Sequence, residues 1–371
     1  MDPSDQPAAT TTHLVRATCL GTLNLTIVDQ NMRRSSRERR PGTGAIAAAA
    51  VVCSLSSHAP AFADTARTGL VPGNDIVDDR EDGSGAFRTH CLESHTSHDD
   101  PLVFPGQPGA AHHHVFFGNP GVDAHTTVAD LNDAGRTTCD GGTLNRSAYW
   151  VPALYDGRGA RIEYVEPLFY YKTGYHVPAS AIVPPPEGLR MIAGDAHATA
   201  PQGTHVVRFR CASWQPERRW FDPGDPLDHV DYLPDCPEGD LLEVRVVFPQ
   251  CWDGQTLSAP DHRSHMAYPR EAAPPVAGTG ACPASHPVAI PEISYNFAIY
   301  VTAETGSPTT WRFSSDRPDA IAPGVSLHAD WMNGWDPEIM AMIVENCLRP
   351  ARECGVGLLG DGTRLRPVVQ D

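Results

Sequence analysis

Histidines and acids recur in several polar segments of the chain, and these residue types can act as acids, bases or metal ligands. The densest segment is residues 248–268 (FPQCWDGQTLSAPDHRSHMAY), which contains Asp253, Asp261, His262 and His265. It follows a strand-like run, and side chains in a loop at the end of a strand are free to converge on a ligand. This segment is therefore the first candidate catalytic site. No nucleotide-binding loop, kinase signature or GxSxG nucleophile elbow accompanies it, so the sequence predicts a place more clearly than a reaction.

A second histidine cluster, HHH at residues 112–114, opens another strand-like run. Alternate residues of a strand share a face, so His112 and His114 are expected on one face and His113 on the other. Two imidazoles on one face can share a metal ion or a substrate. The alternative is that either histidine belongs to a buried hydrogen-bond network.

His286 adds a further histidine, and the segment HADWMNGWD places His328 and Asp330 two residues apart. The one convincing helix of the chain follows directly. Asp336 is a good N-cap and Pro337 fits the first helical position, and apolar residues then recur at helical spacing. We interpret this helix as a packing element.

Composition predicts a mainly β protein, because 32 glycines and 35 prolines suit many short strands joined by turns. Residues 205–211 and 240–249 alternate apolar and polar side chains, as strands with one solvent-exposed face do. The prediction is a β-sandwich or jelly-roll-like single domain over residues 91–371, with long disulfide-tied loops and one C-terminal helix. Residues 64–90 are polar and are predicted to form a flexible arm.

Residues 1–63 are predicted to be an N-terminal extension and signal peptide, with Met32 as the expected start. A basic stretch at residues 32–40 precedes a small apolar run at 45–55, and Ala61-Phe62-Ala63 supplies an A-x-A cleavage site. The apolar run is short for a membrane span. An extracellular, secreted protein without a membrane anchor is therefore expected.

Cysteine usage agrees with export, because eight of the ten cysteines lie after the predicted cut and no CxxC pair suggests a zinc ribbon. An even set in an oxidising compartment predicts disulfides. We expect nearest-neighbour pairing, namely Cys91–Cys139, Cys211–Cys236, Cys251–Cys282 and Cys347–Cys354.

The formal net charge of −17 makes nucleic acid and anionic membrane surfaces unlikely partners, because both require a dense basic surface. The chain has a single lysine, Lys172. The acidic surface by itself indicates solubility.

Seven segments together resemble the secreted bacterial and fungal family catalogued as domain of unknown function 1996. They are HHHVFFGN (112–119), SAYWVPALY (147–155), GLRMIAGD (188–195), FPQCWDG (248–254), DHRSHMAYP (261–269), CPASHPVAIP (282–291) and HADWMNGWD (328–336). The resemblance spans residues 101–336 and implies one continuous extracellular domain, but no reaction. One departure is Ser258, where an acid is expected after Leu257, which argues against a catalytic role for that position.

Three functions are compatible with these residues. The first and favoured one is an extracellular carbohydrate-active enzyme, a hydrolase or lyase. Its candidate catalytic residues are Asp253, Asp261, Asp330, His262, His265, His328, Tyr149 and Arg190, with Lys172 as a further neutralising cation. The second is a non-catalytic module that binds cell wall or polysaccharide.

The third function is a histidine-rich protein that binds a divalent transition metal, with zinc or copper as the expected ion. Its candidate ligands are His112, His114 and His286, together with His262 and His265. The absence of an HExxH helix argues against a common zinc protease.

Overall fold

Two large β-sheets and three small ones form the framework of the chain. The computed structural model describes residues 69–73, 78–79, 83–212, 229–270 and 278–368. The strands in chain order are β1 (Leu70–Pro72), β2 (Asp78–Asp79), β3 (Ala86–His90), β4 (Glu93–Ser97), β5 (His114–Gly118), β6 (Ala148–Pro152), β7 (Leu154–Tyr155), β8 (Arg161–Ile162), β9 (Val165–Lys172), β10 (Arg190–Gly194), β11 (Val207–Ala212), β12 (Leu241–Val247), β13 (Cys251–Trp252), β14 (Met266–Ala267), β15 (Val288–Ala289), β16 (Glu292–Tyr300), β17 (Arg312–Phe313), β18 (His328–Met332), β19 (Arg352–Val356) and β20 (Thr363–Leu365). The prediction of a mainly β protein is confirmed.

The strands pair almost entirely antiparallel. The five-stranded sheet has the order β10-β18-β6-β5-β4, and the seven-stranded sheet has the order β11-β12-β16-β9-β3-β19-β2. Among the described strands, only β3 and β19 pair in parallel. Three small sheets, β1-β20, β14-β13-β15 and β17-β7-β8, complete the described framework.

The inner faces of the two large sheets pack against each other, as expected for a sandwich. Alternate residues of each strand point inward, and they form one buried cluster of apolar side chains. Aromatic rings cross between the sheets: Tyr149 lies 4.2 Å from Phe169 and Phe117 lies 5.4 Å from Phe297, measured between ring centroids. The predicted sandwich-like architecture is therefore confirmed.

The outer face of the five-stranded sheet is also buried. A smaller apolar cluster covers part of it, formed by Leu102, Phe116, Val122, Leu131, Ala148, Trp150, Ile192 and Met332. Leu102 lies between β4 and β5, and Val122 lies between β5 and β6. Residues of these two connections therefore cover part of the sheet. Polar side chains on the same face are consequently cut off from water.

Within the described residues, two α-helices lie outside the sheets, α1 (Val128–Asp133) and α2 (Pro337–Ile343). Helix α2 is the predicted C-terminal helix, and the Asp336 carboxylate accepts from the backbone N–H groups of Glu338 and Ile339 as an N-cap should. A π-helical turn, Val344–Leu348, extends it. Short 3₁₀ turns occur at Gly142–Leu144, Ala179–Ala181 and Pro308–Thr310.

All four predicted disulfides are present: Cys91–Cys139, Cys211–Cys236, Cys251–Cys282 and Cys347–Cys354. Such bonds form and persist in oxidising compartments, which agrees with an extracellular protein. None of the helices in the described ranges is long and apolar enough to cross a membrane.

Residues 64–90 are predicted to form a flexible arm, but parts of this segment form strands in the structure. Residues 86–90 form β3 between β9 and β19, because Phe87 and Thr89 bury their side chains completely. Leu70–Pro72 pairs with Thr363–Leu365 near the end of the chain. The predicted signal peptide, residues 1–63, lies outside the described residues.

Tyr149 provides a test of the core, because its buried hydroxyl contacts Tyr171 Oη at 2.9 Å and Asn145 Nδ2 at 3.1 Å. We expect Tyr149→Phe to lower the free energy of unfolding by about 1–3 kcal/mol, since it leaves buried polar partners unsatisfied. Urea denaturation measures this change. Tyr300→Phe is the matched control, because Tyr300 is 47% exposed, and it should change stability little. Equal stability of both variants would contradict the role of the Tyr149 hydroxyl.

Candidate metal centre

Three neighbouring strands of the five-stranded sheet position the candidate site. His114 begins β5, and His328 and Asp330 lie in β18, on the two sides of β6. Asp330 is opposite Trp150 of β6, and Trp150 is opposite Phe116 of β5. The period of two therefore places His114, His328 and Asp330 on the same outer face of the sheet.

Five side chains converge at this point of the sheet. His112, His114 and His328 offer ligand atoms within 4.8 Å of one another, and so do Asp100, His114 and Asp330. His112 and His114 share a face, with ring centroids 4.2 Å apart. We call these five residues the His/Asp cluster.

Backbone carbonyls set the orientation of two of the imidazoles. His114 Nδ1 lies 3.0 Å from the carbonyl oxygen of Asp99, and His328 Nδ1 lies 2.9 Å from that of Ser326. A carbonyl can only accept, so each Nδ1 carries the proton and donates. Each Nε2 then directs a lone pair into the cluster, which is the arrangement that histidine ligands of metals usually adopt.

Several polar atoms of the cluster are buried without a hydrogen-bond partner among the described residues. They are His114 Nε2 and both carboxylate oxygens of Asp330, whose residues are 0% and 1% exposed. Leaving such groups unsatisfied costs about 1–3 kcal/mol for each group. All three atoms can accept or ligate, so a bound cation would satisfy them together.

The electrostatics of the cluster also favour a cation. Burial lowers the pKa of His112 to about 4 and that of His328 to about 3, and it holds the pKa of His114 well below the usual value. Burial likewise raises the pKa of Asp330 well above its usual range, and the neighbouring Asp100 raises it further. The imidazoles are therefore neutral, and the carboxylates lack a compensating positive charge.

The closest donor atoms have a spacing that suits a tetrahedral ion. His112 Nε2 and His328 Nε2 are 3.1 Å apart. Two nitrogens bound to tetrahedral zinc at their usual bond length are about 3.3 Å apart. His328 Nε2 and Asp330 Oδ2 are 4.0 Å apart, so Asp330 would move closer on binding.

Gly194 allows β10 to approach the cluster. It is paired with His328 and has a φ of 77°, in the region that favours glycine. A Cβ at this position would lie 2.5 Å from the Leu327 carbonyl oxygen and 2.9 Å from the Cα of His328. Only glycine fits here without moving the histidine.

An open groove of about 220 Å³ adjoins the cluster. Two of its lining residues, Ile192 and Gly194, are the strand partners of Asp330 and His328. The other lining residues are Asp195, Gln202, Val206, Pro249, Arg263, Met266 and Tyr268. Arg263 is exposed, donates to the Gly194 carbonyl oxygen and lowers the pKa of both His328 and Asp330 through its charge.

Most of the predicted catalytic residues of the 248–268 segment have local structural roles. Asp253 Oδ1 accepts from the backbone N–H groups of Gln255 and Thr256, each at 2.8 Å. Asp261 Oδ1 caps the next turn, and hydrogen bonds from Ser264 and Arg263 lower its pKa to about 2. Such bonds define Asx-turns, so these two carboxylates hold the loop in shape.

His265 joins this loop to the five-stranded sheet. The backbone N–H of Ala259 donates to its Nδ1 at 3.3 Å, and its Nε2 lies 2.7 Å from the carbonyl oxygen of Arg190. Both ring nitrogens are therefore used by backbone groups, and burial lowers the pKa of the ring. The imidazole acts as a neutral clamp in this geometry.

His262 and Arg190 lie closer to the His/Asp cluster. His262 has a φ of 57°, and its Nδ1 is 3.2 Å from Ser258 Oγ. Burial lowers the pKa of His262, whereas the charge of Asp100 raises it and the charge of Arg190 lowers it. Arg190 Nε is buried without a hydrogen-bond partner, and burial lowers the pKa of this guanidinium.

Three further candidates lie apart from the cluster. Tyr149 faces the sandwich core, and Lys172 pairs with Glu292 in the seven-stranded sheet. His286 is half-buried, with its ring nitrogens 2.9 Å from Ser285 Oγ and from the Ser264 carbonyl oxygen. The structure thus brings together His112, His114, His328 and Asp330.

Asp100 is a member that the sequence analysis missed. Its Oδ1 accepts from the backbone N–H groups of Leu102 and Val103, each at 2.8 Å. An aspartate directly before Pro101 is a turn signal, so its pattern predicts a cap and not a ligand. Burial raises the pKa of Asp100, as it does for Asp330.

The comparisons with known proteins agree with the resemblance seen in the sequence. A family model described as a domain of unknown function, DUF1996, matches residues 100–335, which is more than half of the chain. The chain belongs to the DUF1996 family. All five residues of the His/Asp cluster lie inside the DUF1996 segment, whereas helix α2 follows it. Neither the curated proteins nor the solved structures contain a match.

Metal binding to the cluster can be measured directly. We expect zinc to bind the metal-stripped protein and to raise its thermal midpoint, because a ligand of the folded state stabilises it by mass action. His328→Asn should weaken zinc binding by more than about 100-fold in titration calorimetry, since it removes a ligand. His286→Asn is the matched control and should bind zinc as the unmodified protein does. Identical affinity of the two variants would place the metal elsewhere.

The clamp role of His265 makes a separate prediction. His265→Ala should lower the free energy of unfolding by about 2 kcal/mol or more, because two hydrogen bonds to backbone groups are lost. Urea denaturation gives the value, and His286→Ala serves as a control at a less buried histidine. A His265→Ala protein with full stability but without function would instead support the catalytic prediction for this residue.

Proposed function

We propose that this DUF1996 protein is an extracellular metal-dependent enzyme that hydrolyses polysaccharide. The observation that carries the proposal is the convergence of three buried acceptors, His114 Nε2 and both Asp330 oxygens, on the close pair of His112 and His328 nitrogens. None of the three acceptors has a hydrogen-bond partner in the described part of the chain. The predicted metal-free site in the 248–268 loop has less support, because its acids cap turns and His265 is a clamp.

The three histidines are suited to hold the ion. Each imidazole is neutral at physiological pH, as a ligand must be, and the set of nitrogen and carboxylate donors suits zinc or copper. A bound ion of this kind lowers the pKa of a coordinated water to about 7 and so supplies a hydroxide nucleophile. No protein base needs an extreme pKa in such a reaction.

Asp330 has two free oxygens and can therefore serve two purposes. One oxygen can ligate the ion, and the other can accept the proton of the attacking water. With the ion present, the charge that burial opposes is compensated, so the carboxylate can ionise. Asp100 offers a second carboxylate within 4.8 Å of His114 and Asp330 and can share this proton.

The groove beside the cluster supports a chain-like substrate. Tyr268 lines the groove and donates its hydroxyl to the Val247 carbonyl oxygen, which fixes the orientation of its ring. A fixed aromatic ring offers an apolar face on which a sugar ring can stack. Arg263 at the same groove provides hydrogen-bond donors next to the cluster. The four disulfides support an extracellular location.

One observation favours a second candidate, a structural metal. Asp100 and His112 belong to the segment between β4 and β5, whereas His328 and Asp330 belong to β18. An ion held by all of them would tie that segment to the sheet. A closed site with four protein ligands is typical of structural zinc.

A measurement of catalytic turnover distinguishes the metal-dependent hydrolase from a protein with a structural metal. The protein is prepared without a His tag, stripped with a chelator, reloaded with zinc or copper, and incubated with a panel of polysaccharides while new reducing ends are measured. We expect metal-dependent cleavage and a loss of about 10²–10⁴-fold in the rate for Asp330→Asn, because a proton acceptor is removed. His286→Asn should retain full activity.

Two results would contradict the proposal. Cleavage that is equally fast without metal would exclude a metal-dependent reaction. A protein that binds metal stoichiometrically, gains stability and cleaves no polysaccharide would support the structural metal and a non-catalytic module.

A further inference from the structure

The outer face of the seven-stranded sheet carries a band of cations, although the net charge of the chain is −17. Going across the sheet, the band contains Arg208 on β11, Arg245 on β12, Lys172 on β9 and Arg88 on β3. Their neighbours within the same strands, such as Phe87, Tyr171, Phe209 and Val244, point into the sandwich core. The alternation of the strands therefore places all four cations on one face. We call this set the cationic band.

The charges of the cationic band are only partly balanced. Lys172 Nζ lies 3.0 Å from Glu292 Oε1, and Arg88 forms a two-pronged pair with Glu353 at 2.6 and 2.8 Å. Arg245 Nε donates to Asn296 Oδ1, which is a neutral acceptor. On the same face of β11 and β12, Arg210 pairs with Glu243. Among these side chains, three carboxylates thus face five cations.

Arg208 is the least satisfied member of the band. Its Nε is buried and has no hydrogen-bond partner among the described residues. It stands directly opposite Arg245 in the antiparallel pair of β11 and β12. Like charges directly opposite each other on neighbouring strands destabilise a sheet, and an anion between them would reverse that repulsion.

The lowered pKa values of Arg208 and Lys172 are consistent with a site that binds an anion. Burial and the charge of Arg245 lower the pKa of Arg208. Burial also lowers the pKa of Lys172. The charge of Glu292 raises this pKa, whereas the charges of Arg245 and Arg208 lower it further. Glu292 forms its ion pair with Lys172 and acts on Arg208 only through its charge.

We propose that the cationic band binds an acidic polysaccharide through its carboxylate or sulfate groups. The four cations are spread over five adjacent strands, which corresponds to about 19 Å at the usual strand spacing. A charge pattern of this length suits a chain with repeated anionic groups better than a single small anion.

This surface is separate from the His/Asp cluster. The band lies on the outer face of the seven-stranded sheet, and the cluster lies on the outer face of the five-stranded sheet. Binding at the band therefore needs no metal and no catalysis. It would hold the protein on an acidic polymer independently of any reaction at the cluster.

Affinity electrophoresis tests the proposal with the full chain. The gels contain polygalacturonate, dextran sulfate or neutral dextran, and inorganic phosphate is added as a competitor. Arg208→Gln is the main variant, because it removes one cation and no internal hydrogen bond. Arg317→Gln is the matched control, since it changes the charge equally at an exposed pair with Asp319. Arg245→Gln is a second band variant should Arg208→Gln fail to fold.

We expect retardation by at least one acidic polymer and none by dextran. The comparison of polygalacturonate with dextran sulfate identifies carboxylate or sulfate as the recognised group. Arg208→Gln should weaken binding by about tenfold or more, because charge-assisted hydrogen bonds are strong, and Arg317→Gln should leave it unchanged. Equal loss in both variants, unchanged binding in Arg208→Gln, or binding of phosphate without either polymer would overturn the proposal.

Discussion

The three central strands of the five-stranded sheet, β5, β6 and β18, are buried on both faces, and this burial determines what their polar side chains can do. Every residue of β5, β6 and β18 is buried. Strands of this kind are expected to be almost continuously apolar, and a polar group inside them must find a partner. His114, His328 and Asp330 are the ionisable acid and base side chains of β5 and β18 that break this apolar pattern. Backbone carbonyls satisfy one nitrogen of each imidazole, and the remaining acceptor atoms point at one another.

The loop that looked catalytic in the sequence contributes in another way. Its disulfide Cys251–Cys282, its capped turns and the His265 clamp fix it against β10. Arg263 is thereby held at the Gly194 carbonyl oxygen, beside His328. The polar residues of the loop therefore build one wall of the groove, while residues from distant strands form the site itself.

The two outer faces of the sandwich have opposite electrostatic deficits. On the five-stranded sheet, buried lone pairs and carboxylates converge without a positive charge, as at Asp330 and His114. On the seven-stranded sheet, Arg208 and Arg245 face each other with too few carboxylates. A bound cation would compensate the charge on the outer face of the five-stranded sheet, and a bound anion would compensate the charge on that of the seven-stranded sheet. Both follow from burying charged groups beside like groups, where water cannot screen them.

Local patterns in the sequence were enough for the β content, the sandwich-like fold, the four disulfides and the cap of helix α2. These features depend on period-two alternation, on the pairing of successive cysteines and on an Asp-Pro pair at a helix start. The sequence also pointed to His112 and His114 as neighbours on one face, because alternation is a local property.

Only the tertiary structure decided which of the polar residues meet. His114 and Asp330 are brought together because β6 pairs with both β5 and β18, and such pairing between distant segments leaves no local signal. Asp100 reads as a turn cap in the sequence and becomes a cluster member only because its loop covers the sheet. Conversely, Asp253, Asp261 and His265 form a dense polar motif whose hydrogen bonds go to the backbone. Residue type and spacing identify which groups can do chemistry, whereas burial and strand order determine which of them are left without partners.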